Sequence, residues 1–270
     1  MSSEDQYLST KGKSVSRFEN RVKKLLADGK SAWGVGLGDA SEYVAKASID
    51  TGADFLWIDL EHRPYGVEAI QWVTLLCRMK GCVPMVRVAG LDPQLIKKAF
   101  DVGASAVMVP QINNAEEARL AVQYSKYPPE GSRGVSPVWP IFMDVSYDEY
   151  LPFANDESCV IVQVESPEGM KNVEEIAAVE GIDVVFAGPL DISASMGHLG
   201  EVDHPEVQKF FADFPARVAT AGKPSGITFV GYEKCKKAHD MGYRFIAFNN
   251  VLNAGKSFLE NELNQLRELS

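Results

Sequence analysis

The sequence predicts an α/β protein, a single-domain (β/α)8 TIM-type barrel. Three observations predict it: short apolar runs alternate with longer helical patterns, the runs number eight, and polar residues collect where the runs end. The runs span 33–37, 55–59, 85–88, 106–109, 160–165, 184–187, 226–229 and 245–248. Each is apolar almost throughout, as in parallel strands covered on both faces. Eight strands favour closure into a barrel over an open doubly wound sheet, although sequence does not state strand order. The 270 residues suit one barrel, which occupies about 250.

Helical patterns lie around and between the runs, at 17–28, 41–51, 67–79, 93–102, 115–126, 169–179, 205–221, 232–241 and 253–269. Pro93 and Pro205 sit where a first helical turn tolerates proline, each behind a capping residue, Asp92 or His204. The last helix carries Phe258, Leu259, Leu263 and Leu266 on one stripe. Residues 1–14 are polar, lack the apolar core of a signal peptide and read as a loose arm, leaving 15–270 to the barrel.

The net charge of −10 argues against a general nucleic-acid binder, whose surface must be basic. No apolar run approaches the roughly 18 residues of a membrane span. Cys77, Cys82, Cys159 and Cys235 show neither paired nor metal-ligand spacing and read as reduced thiols of a cytoplasmic protein.

The strand ends carry the functional reading. The second run ends in Asp59, followed by Glu61 and His62. The third leads to Arg87, the fourth to Gln111, the fifth to Gln163 and Glu165, and the sixth through Gly188 and Leu190 to Asp191. In a barrel these ends converge on one rim, where catalysis occurs. Glu165 and Asp191 leave successive strands, so their carboxylates can meet. Unpaired, they would repel and raise a pKa, and a divalent cation removes that repulsion. Two carboxylates with water and substrate oxygens suit a hard octahedral ion, Mg²⁺ or Mn²⁺, with Co²⁺ a further option. The competing reading pairs an acid with Arg87. Histidine titrates near neutrality, so His62, beside Asp59 and Glu61, suits a proton shuttle. The backbone from Gly188 to Ser193 opens a loop or short helix whose N–H groups can receive carboxylate or phosphate. No lysine ends any of the runs, so the rim offers no amine for Schiff-base chemistry and metal chemistry is the route left open.

The stretches WIDLEH (57–62), MVRVAGLDPQLIKKAFDVGASAVMVPQINNAEEA (85–118), YPPEGSRGV (127–135), VIVQVESPEGMKNVEEIAAVEGIDVVFAGPLDIS (160–193) and HPEV (204–207) resemble the HpcH/HpaI aldolase family, and the similarity runs over 33–269. The resemblance implies a class II, metal-dependent pyruvate aldolase. Such an aldehyde-lyase cleaves or forms 4-hydroxy-2-oxo acids through a metal-bound pyruvate enolate. It implies that Glu165 and Asp191 hold the metal, and that Arg87 polarises the keto oxygen and steadies the enolate. It makes His62 the catalytic histidine and Asp59 its supporting acid. Gln163 would lie beside the substrate, and the pyruvate carboxylate would rest near Gly188, Leu190 and Asp191. The implied partners are a pyruvate-type 2-oxo acid and an aldehyde. Family members pack the C-terminal region across subunits, which implies a homo-oligomer, a trimer or hexamer. Macrophomate synthase is a relative, so the alternative activity is an oxaloacetate-type decarboxylase or a macrophomate-synthase-like enzyme that reaches the same enolate by losing CO₂. A non-catalytic binding protein is the third reading, and the presence of Arg87, Glu165, Asp191 and His62 together argues against it.

The chain departs from the family on the acceptor side. Many members carry a small-residue, arginine-containing stretch after the RGV segment, near the aldehyde. Here the stretch is Ser136-Pro137-Val138-Trp139-Pro140-Ile141-Phe142, bulkier and prolyl. Gly36 stands where several aldolases place a tryptophan. Trp139 and Phe142 are therefore expected either to line an apolar acceptor pocket or to serve as packing.

Overall fold

The structure, a computed structural model, describes residues 18–269, so the arm expected at 1–14 lies outside the described residues. Eight parallel strands close into a barrel in sequential order: β1 (Ala32–Gly36), β2 (Phe55–Asp59), β3 (Val83–Arg87), β4 (Ala106–Val109), β5 (Cys159–Val164), β6 (Val184–Ala187), β7 (Ser225–Phe229) and β8 (Phe245–Asn250). The sequence reading starts β3 two residues late because Pro84 has no N–H to donate to a ladder. Pro84 nevertheless sits in register with Leu56, and its carbonyl accepts the Ser105 N–H.

Alternate side chains of each strand turn into the barrel or out toward the helices. Phe55, Met85, Met108, Ile161, Phe186 and Phe245 belong to the inward set, which packs as one buried cluster. Phe55 and Phe245 stack with ring centroids 4.0 Å apart. That stack needs Gly34, where a Cβ would stand 2.1 Å from the Phe55 ring. The outward set, including Leu56, Ile58, Val86 and Val162, forms the larger core against the helices.

The barrel helices are α2 (Glu42–Ile49), α3 (Val67–Lys80), α4 (Pro93–Asp101), α5 (Ala115–Ser125), α8 (Pro167–Lys171), α9 (Val173–Ala177), α10 (Pro189–Ser195), α11 (Pro205–Ala219) and α12 (Tyr232–Met241). The pattern at 169–179 predicts one helix, but α8 and α9 meet at Asn172, whose side chain turns away to donate to the Asn113 carbonyl. Before β1, α1 (Arg21–Ala27) starts later than periodicity suggests, because Asn20 caps it by accepting from the Val22 and Lys23 amides. The Asn20 side chain also donates to the Ser105 and Glu157 carbonyls, while Val22 joins the interior cluster. In this way α1 plugs the N-terminal end of the barrel.

The connection from α5 to β5 holds a 3₁₀ turn (Trp139–Met143) and two one-turn helices, α6 (Tyr147–Tyr150) and α7 (Ala154–Glu157). Trp139 is buried, edge-on to Tyr150 at 4.7 Å, with the Arg78 guanidinium 3.6 Å from its ring centre. Arg78 pairs with Glu157 at 2.6 Å and donates to the carbonyls of Gly103 and Ala104. Those partners lie just before β4 and β5, at the end of the barrel opposite Glu165. Within the chain, then, Trp139 packs a secondary core and lines no pocket at the strand ends. Phe142 is half exposed and rests edge-on against Trp72 of α3 at 5.7 Å.

The chain ends in α13 (Val251–Arg267), capped by the Asn250 side chain and with none of its residues buried. No helix among the described residues is long and apolar enough to cross a membrane.

Candidate active site at the strand ends

Inward parity delivers the polar side chains. Phe55, Met85 and Ile161 point into the barrel, so Asp59, Arg87, Gln163 and Glu165 follow on the same inward face at even spacing. The β2–β3 register sets Asp59 directly opposite Arg87. Arg87 donates through Nε to Asp59 Oδ1 at 2.9 Å and through Nη2 to Oδ2 at 2.7 Å, a fork that fixes the guanidinium plane. Its Nη1 stands 3.1 Å from Glu61 Oε2, and the Trp57 ring centre lies 5.0 Å below it. Burial acts to raise the Asp59 pKa, but the bonds and charge of Arg87 outweigh it and hold the carboxyl below its ordinary range.

The acid expected to support the His62 ring meets its backbone instead. Asp59 Oδ1 accepts from the amides of Glu61 and His62, so it ties down the loop exit. The His62 ring approaches Glu61, with Nε2 3.6 Å from Oε2, and its side chain remains 62% exposed. Glu61 is thus a site residue that the strand-end reading treats only as a neighbour. Burial pushes its pKa up, with Asp59 and Asp191 adding to the rise. The signal for it in sequence is position: it lies two residues beyond Asp59 and keeps the same parity.

Glu165 is 5% exposed. Its Oε1 accepts the Gln111 amide at 3.0 Å, and its Oε2 accepts a short hydrogen bond from Gln163 Nε2. Gln111 makes that contact with φ at +56°, a left-handed conformation uncommon for a side-chain-bearing residue. The pKa of Glu165 is pushed up to about 7, chiefly by burial, then by the charges of Asp191 and Glu61. Asp191 lies in the first turn of α10, exposed toward the same opening. Gly188 joins β6 to α10 and has room for a side chain only if its neighbours move: a Cβ there would fall 2.6 Å from Glu165 Oε2 and 2.7 Å from Gln163 Nε2. With no side chain at this cap, the first-turn amides of Leu190 and Asp191 have no capping acceptor.

Four carboxylates, Asp59, Glu61, Glu165 and Asp191, therefore share one rim with the Arg87 guanidinium, which is engaged by Asp59 and Glu61. Arg87 does not pair with Glu165 or Asp191 among the described contacts. The buried Gln163 Oε1 and Trp57 Nε1 have no hydrogen-bond partner. The excess negative charge and the all-oxygen donor set of Glu165 and Asp191 fit a hard divalent cation.

A barrel whose C-terminal rim assembles acids, an arginine and a histidine is an enzyme scaffold. Residues 15–249 match the family model described as HpcH/HpaI aldolase/citrate lyase. The chain is 39% identical over 236 residues to a 4-hydroxy-2-oxo-heptane-1,7-dioate aldolase of Shigella sonnei, covering 85% of this chain and 88% of that protein. It is 36% identical over 243 residues to a hydroxypyruvate/pyruvate aldolase of Roseobacter denitrificans, covering 88% and 95%. Among solved structures, a HpcH/HpaI aldolase/citrate lyase family protein from Burkholderia cenocepacia superposes with a TM-score of 0.85 at 33% identity, covering 92% of this chain and 99% of that one. Macrophomate synthase superposes with a TM-score of 0.83 at 26% identity, covering 99% and 97%. The chain belongs to the HpcH/HpaI aldolase/citrate lyase family. It is a carbon–carbon lyase of the aldolase class.

Proposed function

We propose that this enzyme cleaves and forms 4-hydroxy-2-oxo acids by way of a pyruvate enolate, with a divalent ion, Mg²⁺ or Mn²⁺, held by Glu165 and Asp191. The observation that carries the reading is the crowding of Glu61 and Asp191 around the buried Glu165, whose pKa burial first and then those two charges push up to about 7. A divalent ion would supply Lewis acidity, drawing electron density from the keto group.

The protein's own groups do the rest. The amides of Leu190 and Asp191, which no cap engages, receive the substrate carboxylate. Arg87, with its plane locked by Asp59, turns its remaining N–H donors on the keto oxygen, where negative charge grows as a methyl proton leaves. Gln163 hydrogen-bonds Glu165 and leaves its own Oε1 for the substrate side. His62, at the exposed rim beside Glu61, takes up that methyl proton and delivers it to the aldehyde oxygen or to solvent. The acceptor is an aldehyde.

Proton exchange tests this reading. Pyruvate in D₂O with enzyme and Mn²⁺ or Mg²⁺ should lose its methyl proton signal, and excess chelator should stop the loss. Exchange that continues undiminished in chelator refutes the metal assignment. The likeness to macrophomate synthase supports a second reading, decarboxylation of oxaloacetate to the same enolate. Rapid CO₂ release without retro-aldol turnover would favour it.

The partner surface is proposed from α13. Phe258, Leu259, Leu263 and Leu266 are all about half exposed or more on a helix that buries nothing. A helix with this apolar stripe gains little from water, and we propose that a second copy covers it in a homo-oligomer, a trimer or hexamer. A cytoplasmic location is consistent with four free, buried cysteines.

A further inference from the structure

Away from the strand ends, one group of ligating side chains has no part in the reaction above. His198 follows α10, while His204 and Glu206 open α11. One ligand atom from each lies within 4.8 Å of the other two. His198 Nε2 stands 3.2 Å from Glu206 Oε2, and the two imidazoles stack with centroids 3.4 Å apart. We propose that His198, His204 and Glu206 form a second metal site that takes an imidazole-preferring transition ion, Zn²⁺ foremost.

Backbone geometry holds the three donors together. The chain turns between Gly197 and Gly200, at φ of +85° and +81°, conformations that glycine adopts without strain. Ser193 of α10 anchors that turn: its carbonyl accepts the His198 amide at 2.8 Å and its Oγ accepts the Gly200 amide at 3.2 Å. Pro205 in the first turn of α11 then fixes the path between His204 and Glu206.

Ligands of a tetrahedral zinc ion with bonds of about 2.0–2.1 Å lie roughly 3.4 Å from one another. The His198–Glu206 pair already has that spacing. The two imidazoles stack face to face, so ligation requires both rings to turn until their in-plane lone pairs meet at one point, and it leaves a fourth position to water. His204 now caps α11 by accepting the Glu206 amide on Nδ1 at 3.3 Å. An imidazole that accepts on Nδ1 carries its proton on Nε2. Ligation at Nε2 therefore moves the proton to Nδ1 and replaces this long cap bond. Two nitrogens and one oxygen suit Zn²⁺, Co²⁺ or Ni²⁺, whereas Mg²⁺ prefers the all-oxygen set at Glu165 and Asp191. The two sites are thereby separable by metal as well as by position.

Calorimetric titration of the full chain carrying Glu165→Gln and Asp191→Asn isolates the site. That protein should bind one Zn²⁺ per chain and show no heat from Mg²⁺. Adding His198→Gln and His204→Asn should weaken zinc about tenfold or more, since losing even an outer-shell group costs that much. Asparagine is itself a good N-cap, so α11 and the melting temperature should be unchanged without metal. Unchanged zinc affinity after the histidine substitutions overturns the proposal, as does a carboxylate variant that binds no zinc. Should the carboxylate variant fail to fold, the histidine pair is replaced in the wild-type background. Loss of one of two zinc equivalents is then expected, and loss of neither overturns the site.

Discussion

Replacing Glu165 with glutamine should stabilise the metal-free protein at high pH while abolishing its catalysis. Burial and the charges of Asp191 and Glu61 lift the Glu165 pKa from an ordinary 4.5 to about 7. In the unfolded chain no such neighbours exist, so holding the ionised form in the fold costs about 3 kcal/mol above pH 7. Glutamine removes that cost. It also brings a loss, because its amide can accept from only one of the two donors, Gln111 N and Gln163 Nε2, that now face the carboxylate. One buried donor left unpaired costs about 1 kcal/mol. The net gain is about 2 kcal/mol at pH 8. Because the folded pKa is the higher one, the native state binds the extra proton between pH 4.5 and 7, and wild-type stability falls as pH rises through that window. The advantage of Glu165→Gln should therefore shrink to less than about 1 kcal/mol near pH 5. Urea unfolding in excess chelator at pH 8 and pH 5 measures both numbers. Added Mn²⁺ should then reverse the order, stabilising wild type and leaving the variant unmoved. Equal stability of the two proteins in chelator at both pH values would refute the crowded-carboxylate account of the site.

Gly188→Ala adds a methyl group 2.6 Å from Glu165 Oε2 and 2.7 Å from Gln163 Nε2. Both side chains must shift, with a predicted stability loss of about 1–2 kcal/mol and a fall in kcat/KM of about 100-fold; wild-type kinetics would clear this glycine of any role. Arg87→Lys exchanges the fork on Asp59 for a point charge, and methyl-proton exchange of pyruvate should slow by about 100- to 1000-fold. A rate within threefold or so of wild type would remove Arg87 from enolate stabilisation. Phe258→Asp with Leu263→Asp puts charge into the stripe of α13. The double variant should sediment as a smaller species than wild type, and identical sedimentation would show that α13 does not hold copies together.

Much of the barrel was legible because its strands are buried on both faces, so that short, wholly apolar runs such as 106–109 and 184–187 stand out between amphipathic helical stretches. Boundaries were less legible where a local rule was overridden. Pro84 hides the start of β3 because its missing N–H argues against a ladder position, yet the parallel register uses only its carbonyl there. Asn172 splits a continuous helical period because its side chain has a better partner in the Asn113 carbonyl, a contact 59 residues away that no local window contains.

The site divides along the same line between local and long-range information. Asp59, Arg87, Gln163 and Glu165 follow from strand parity, a local property, and so a sequence can expose them. Which acid pairs with Arg87 depends on the register between β2 and β3, and the structure gives Asp59 and Glu61 rather than Glu165. That choice matters chemically. Had Arg87 neutralised Glu165, the carboxylate would have had its cation and no need of a metal. Because the guanidinium is spent on β2, Glu165 faces Asp191 and Glu61 with two hydrogen-bond donors and no ion pair among the described residues. On the proposed reading, the same pairing that would orient Arg87 toward a keto oxygen would also leave a place for a divalent ion, so loss of Asp59 should disturb both. Asp59→Asn would leave Arg87 free to swing toward Glu165, lowering the carboxylate pKa and weakening metal binding together. Manganese affinity unaltered in Asp59→Asn would show that the two halves of the site are independent.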